Sequence, residues 1–90
     1  GSTIPQAPRR ALRAAHEAWR GGETGGRRLE AVARRALEVY PGVRPEYISA
    51  VEPDALAPVD TVGAGCLMLV AARVGSTRLI DNVVFGEGIP

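Results

Sequence analysis

The sequence has no lysine, one cysteine, one histidine, one methionine and four aromatic residues. A lone cysteine, Cys66, excludes a disulfide framework and a cysteine-built zinc site. A lone histidine, His16, leaves little for a metal site. As a catalytic base it would need an orienting carboxylate and a nucleophile nearby, and no Ser or Cys sits in such a motif. Trp19, Tyr40, Tyr47 and Phe85 do not fall in the stacking pattern of an RNA-binding sheet. No apolar signal region opens the chain, and the longest apolar run, Cys66 to Ala72, is too short to cross a bilayer. A soluble, cytoplasmic protein is therefore expected. Phosphate loops are lacking too. GGETGG at 21–26 has no Lys-Ser/Thr ending, and Val62-Gly63-Ala64-Gly65 precedes a strand-like run rather than a helix. The absence of lysine looks like a coding preference for arginine and carries no functional reading.

What is present is ordinary for a soluble globular domain. The 90 residues are 46% hydrophobic and 23% charged, enough for one domain. A chain of this length buries only about two thirds of its unfolded surface. A deep, enclosed active site has little room, which favours a binding, structural or accessory domain. The net charge of +1 hides a division. Residues 1–45 carry nine arginines against four glutamates, a net of +5, and residues 46–90 carry two arginines against six acids, a net of −4. Such asymmetry can mark a nucleic-acid or membrane partner. The glutamates are interleaved with the arginines, so basic helices beside an acidic sheet are the plainer expectation. Gly1-Ser2 reads as the remnant of a cleaved tag.

Pro8 suits a first helical turn. Ala11, Leu12, Ala15, Ala18 and Trp19 then share one helix face. Gly21-Gly22 stops that helix, and 21–26 reads as a flexible connector. Leu29, Val32, Ala33, Ala36, Leu37 and Tyr40 mark a second helix, ended by Pro41-Gly42. Residues 46–51, between Pro45 and Pro53, have strand composition. Residues 53–65 form a loop. Cys66 to Ala72 suits a strand covered on both faces, or nearly so. Gly75-Ser76 is a two-residue hairpin turn, and Thr77 to Phe85 is the return strand. Residues 86–90 are expected to be loose. The predicted fold is α+β: two N-terminal helices packed on a small three-stranded antiparallel sheet.

If Val74 and Thr77 close the turn, Arg73 lies opposite Arg78, Ala71 opposite Ile80, Val70 opposite Asp81 and Leu69 opposite Asn82. Two facing arginines repel unless something neutralises them. They read either as an anion or docking contact, or as a pair relieved by Glu46, Glu52 or solvent. Arg73 and Arg78 are the candidate domain-docking residues. Asp81 and Asn82 put a polar group on each sheet face and need partners. The backbone of 61–65 is the expected one.

The run Ala71 to Asn82, AARVG-x-TRLIDN, resembles the C-terminal hairpin of the pantoate–β-alanine ligase (pantothenate synthetase) family. Glu46-Tyr47-Ile48 resembles that family's acidic-Tyr-aliphatic strand, and Asp54 to Val59 its "x-x-Leu-x-Pro" stretch. The likeness runs from Pro8 to Phe85. It implies a two-domain ligase that uses ATP and magnesium. Pantoate is adenylated with release of pyrophosphate, and β-alanine then displaces AMP to give pantothenate. It also implies a nucleotide-binding N-terminal domain with paired histidines and a Ser-Arg-Asn loop, closed over by a smaller C-terminal lid. Neither motif occurs here, since His16 stands alone in Ala-His-Glu-Ala.

Residues 3–90 are thus expected to be the lid alone, without the N-terminal nucleotide-binding domain. No catalytic, cofactor-binding or metal-binding residues are assigned to it, and the fragment by itself should be inactive. Its expected partner is the N-terminal domain of the same ligase, with weak self-association of the isolated fragment. No membrane partner is expected. His16 and Cys66 read as surface and core residues of such a lid. The rival expectation is a stand-alone module whose basic helices meet nucleic acid or a protein.

Overall fold

Two helices and three strands follow one another along residues 6–87, the part of the chain that the computed structural model describes. Gly1-Ser2 and the last three residues of the expected loose tail lie outside the described residues.

Helix α1 spans Ala7–Arg20, with Pro8 in its first turn as expected. Ala11, Leu12 and Ala15 form its core stripe and are wholly buried. Gly21 ends it, donating its N–H to the Glu17 carbonyl. Helix α2 spans Gly26–Glu38 and buries Leu29, Ala33 and Leu37, spaced four apart on one face. It stops short of Tyr40, which is held in a turn by its N–H on the Leu37 carbonyl. The alanines of α1 let the two helices approach closely, side by side on one sheet face.

The connector at 21–26 is not loose. Gly26 N–H donates to Asp60 O (2.8 Å), Val62 N–H to Thr24 O (2.8 Å) and Gly25 N–H to the Glu23 carboxylate (2.9 Å). A Cβ on Gly26 would collide with the backbone carbonyl of Val59. Glycine is there for closeness rather than for flexibility.

The strands are β1 (Val43–Val51), β2 (Leu67–Val74) and β3 (Thr77–Val84), in the order β1-β2-β3, all antiparallel. The β2–β3 register is the expected one, closed by Gly75-Ser76 with Gly75 at φ +60°. β1 starts earlier than composition suggests. It includes Pro45, which a central strand would exclude, because β1 is an edge strand. The register shifts between Pro45 and Tyr47, leaving Glu46 as a bulge without a partner across β2.

Met68, Val70 and Ala72 of β2 face the helices, with Ile48 and Ala50 of β1 and Val83 of β3. The opposite face carries Tyr47, Leu69, Ala71 and Ile80. The continuous apolar run predicts a β2 covered on both faces. Among the described residues the helices cover one; on the other, β2 keeps Ala71 wholly buried and Leu67 and Leu69 half-buried, near the expected cover, while its neighbours Ile80 (66%) and Tyr47 (43%) stand exposed. His16, expected at the surface, is buried.

Candidate functional site

Three arginines cross the bare face of the sheet in one row. Arg44 on β1 pairs with Arg73 on β2, and Arg73 with Arg78 on β3. Directly opposed like charges cost roughly 0.2–1 kcal/mol per pair. The bulge answers two of them. Arg73 Nε donates to Glu46 Oε2 (2.9 Å) and Arg78 Nε to Glu46 Oε1 (2.8 Å). The Glu46 carboxyl is held below its ordinary value of 4.5, first by the Arg73 hydrogen bond, then by that residue's charge and by Arg78. Of the candidate reliefs, Glu46 acts and Glu52 does not. Arg73 and Arg78 are thus fixed in place through Nε, and each side chain stays about half exposed. Arg44 has no ion-pair partner among the described residues.

Sequence reasoning misses Arg44 because Pro45 looks like a strand start. Carrying β1 back past the proline to Val43 would place Arg44 opposite Arg73.

Asp81 faces the helices, as alternation requires, but its partner is not the 61–65 backbone. Arg9, in the first turn of α1, grips it with a two-pronged contact: Nε to Oδ2 at 2.9 Å and Nη2 to Oδ1 at 3.1 Å. Asp81 Oδ1 also accepts the N–H of Asn82 (2.8 Å). The pair ties α1 to β3. Only a register for α1 over the sheet, which periodicity does not provide, could have revealed it.

His16 forms a three-ring cluster with Trp19 and Phe85, its ring stacked on Phe85 at 6.1 Å between centroids. Its Nε2 accepts the N–H of Gly86 (3.3 Å), which places the hydrogen of a neutral ring on Nδ1. Trp19 Nε1 donates to the Val62 carbonyl (3.0 Å). An open cavity of about 450 Å³ is lined by His16, Trp19, Arg20, Gly86 and Glu87. Two of its polar groups already serve the fold, because His16 and Trp19 pin the chain past β3 and the 53–65 loop to α1. Cys66 is half-buried just before β2 and packs on the core.

The loop after β1 is organised by one carboxylate. Glu52 accepts N–H bonds from Asp54 (3.0 Å), Ala55 (2.6 Å) and Ala57 (3.2 Å). These bonds, Ala57 foremost, lower its pKa. They hold Leu56 at φ +57°, a left-handed conformation rare for such a residue.

Among the described residues no three His, Cys, Asp or Glu side chains are grouped to hold a metal ion. Glu23, Glu30, Glu46, Glu52 and Asp81 each bond backbone or arginine groups. No helix among the described residues is long and apolar enough to cross a membrane.

The fold and its surfaces define a small two-layer α+β domain, finished on its helical side and bare on its sheet side. The chain belongs to the pantoate–β-alanine ligase family, whose model matches residues 5–84. The chain is 46% identical over 86 residues to the bifunctional pantoate ligase/cytidylate kinase of Gloeobacter violaceus, covering 96% of this chain and 16% of that protein. It is 46% identical over 78 residues to the pantothenate synthetase of Acidobacterium capsulatum, covering 87% of this chain and 26% of that protein. The crystal structure of pantothenate synthetase from Thermus thermophilus superposes with a TM-score of 0.80 at 32% identity, over 88% of this chain and 28% of that one. The chain therefore spans about a quarter or less of these curated relatives, corresponding to their C-terminal portion. The rival expectation of a stand-alone nucleic-acid module gains no support from these matches.

Proposed function

We propose that this chain is the closing, C-terminal domain of a pantothenate synthetase. The whole ligase would join pantoate to β-alanine with ATP and magnesium, releasing AMP and pyrophosphate. The observation that carries this reading is one of proportion: nearly all of this chain aligns with little more than a quarter of a synthetase, at a TM-score of 0.80. The paired-histidine and Ser-Arg-Asn motifs of the family have no counterpart in residues 1–90, so nucleotide binding and catalysis belong to the part that precedes. The role left to this domain is closure, which excludes water from a reactive acyl intermediate. Its partner is that N-terminal part, with Arg73 and Arg78 among the residues that meet it. The compartment is the cytoplasm.

Pyrophosphate exchange with pantoate and ATP tests the assignment. The isolated chain should give none, and adding the separately produced N-terminal part should restore turnover. Substantial exchange by the chain alone would overturn the reading.

A further inference from the structure

We infer that the bare face of the sheet, not the helical layer, is the surface that the preceding part of the ligase covers, and that the Arg44–Arg73–Arg78 row receives acidic side chains of that part. The inference rests on the function proposed above and adds to it a face, an orientation and a charge.

Two observations point to that face, and two more bear on where the preceding part arrives and how much it can cover. The first is composition. A sheet with one wet face alternates apolar and polar residues, whereas β2 places Leu67, Leu69 and Ala71 on the face away from the helices. Tyr47 and Ile80 flank Ala71 from either side and stand exposed. An apolar centre with an aromatic and arginines around it is the make-up of a protein interface.

The second is charge. The row holds three guanidinium groups and one carboxylate. Glu46 takes the Nε of Arg73 and of Arg78, so the terminal nitrogens of both point beyond the ion pair, already oriented. With Arg44 unpaired among the described residues, the row has room for further carboxylates, which arginine binds in a two-pronged way.

The third is where the chain arrives. Arg9 fixes the start of α1 at Asp81, and His16 and Trp19 fix its later turns at Gly86 and Phe85. α1 therefore runs along β3 away from the hairpin. The polypeptide that precedes it in the longer relatives reaches this domain on the helical side of β3, toward the Arg78 end, and has only that sheet edge to round to meet the arginine row.

The fourth is size. The relatives carry about three quarters or more of their length outside this domain, ample to cover a sheet face of three strands.

Alkylation of an introduced thiol reads the covered face directly. In a Cys66→Ala background, Ile80→Cys tests the sheet face and Arg34→Cys the exposed side of α2. Rates are compared between the chain alone and the full-length ligase that carries it. Burial under the preceding part should slow Ile80→Cys by about tenfold or more in the full-length protein, with Arg34→Cys unchanged. Equal rates for Ile80→Cys in both proteins would overturn the inference. So would protection of Arg34→Cys instead, or protection of Ile80→Cys in the chain alone that rises with concentration, since a second copy would then be the occupant.

A second measurement reads the charge. Arg44→Glu with Arg78→Glu should weaken capture of the chain by the separate N-terminal part by about tenfold, and Arg34→Glu with Arg35→Glu should not. Equal effects of the two pairs would reject the acidic partner. Pantothenate formation by the same full-length preparation is scored separately. An active ligase with an unprotected Ile80→Cys would refute the docking face and leave the function standing.

Discussion

The two faces of one sheet differ in what they are built for. Toward the helices, Met68, Val70 and Ala72 are wholly buried against Leu12, Leu29 and Leu37. Away from them, Ile80 and Tyr47 stand in solvent beside a row of arginines. Both faces are largely apolar along β2, so hydrophobicity alone does not separate them. What separates them is whether the chain itself supplies the cover. Folding stability therefore resides on the helical face, and the sheet face is free to serve association.

The largest effect should test that division. Phe85 is wholly buried against His16 and Trp19, and Phe85→Ala should cost about 3–5 kcal/mol. Ile80→Ala, an equally apolar site on the other face, should stay within about 0.5 kcal/mol. Urea unfolding monitored through Trp19 measures both. Comparable losses would mean that the sheet face already packs on something in the isolated chain.

Gly26→Ala should come next. The added methyl meets the Val59 carbonyl, and backbone cannot step aside as a side chain can. A loss of about 1–3 kcal/mol is expected, as for overpacking, although alanine is the better helix former. An unchanged or raised midpoint would show that the 53–65 loop is not locked to the helical layer. A smaller effect belongs to the Arg9–Asp81 pair, where Arg9 is 39% and Asp81 19% exposed. A double-mutant cycle with Arg9→Met and Asp81→Asn should give a coupling of about 1 kcal/mol, reduced by solvent screening. A coupling near zero would remove this pair as the tie between α1 and β3.

Much of the fold is legible in the sequence because its signals are local. The Leu29–Ala33–Leu37 stripe marks α2, and Gly75-Ser76 sets the whole β2–β3 register, so Arg73 opposite Arg78 follows from counting. What is not legible depends on distant parts of the chain meeting. Arg44 joins the row only if β1 runs through Pro45, which a sheet edge permits and a sheet centre forbids. Asp81 finds Arg9 across 72 residues of chain. His16 looks polar and exposed beside its stripe, yet Phe85 and Trp19 close around it. Glycine richness at 21–26 suggests freedom, while the contact of Gly26 with Val59 shows confinement.

The smallest effect returns to the bare face. Glu46 has its pKa lowered on folding, chiefly by the Arg73 hydrogen bond. A lowered value means that the folded state binds the proton less readily than the unfolded chain. Its contribution is then fully present above the ordinary value of 4.5 and is lost as pH falls through the lowered folded value. Glu52 behaves with the same sign, through backbone N–H groups rather than arginines. Salt separates the two. It screens the exposed Arg73–Glu46–Arg78 ion pairs more strongly than the neutral hydrogen bonds to Glu52. Glu46→Gln should flatten the stability-versus-pH curve below 4.5 and shift the salt response toward stabilisation by salt, because repulsion among Arg44, Arg73 and Arg78 then replaces the attraction that salt screens. Glu52→Gln should flatten the curve but leave the salt sensitivity in place. If Glu46→Gln left both the acid limb and the salt response intact, the row would be held by something other than the bulge carboxylate.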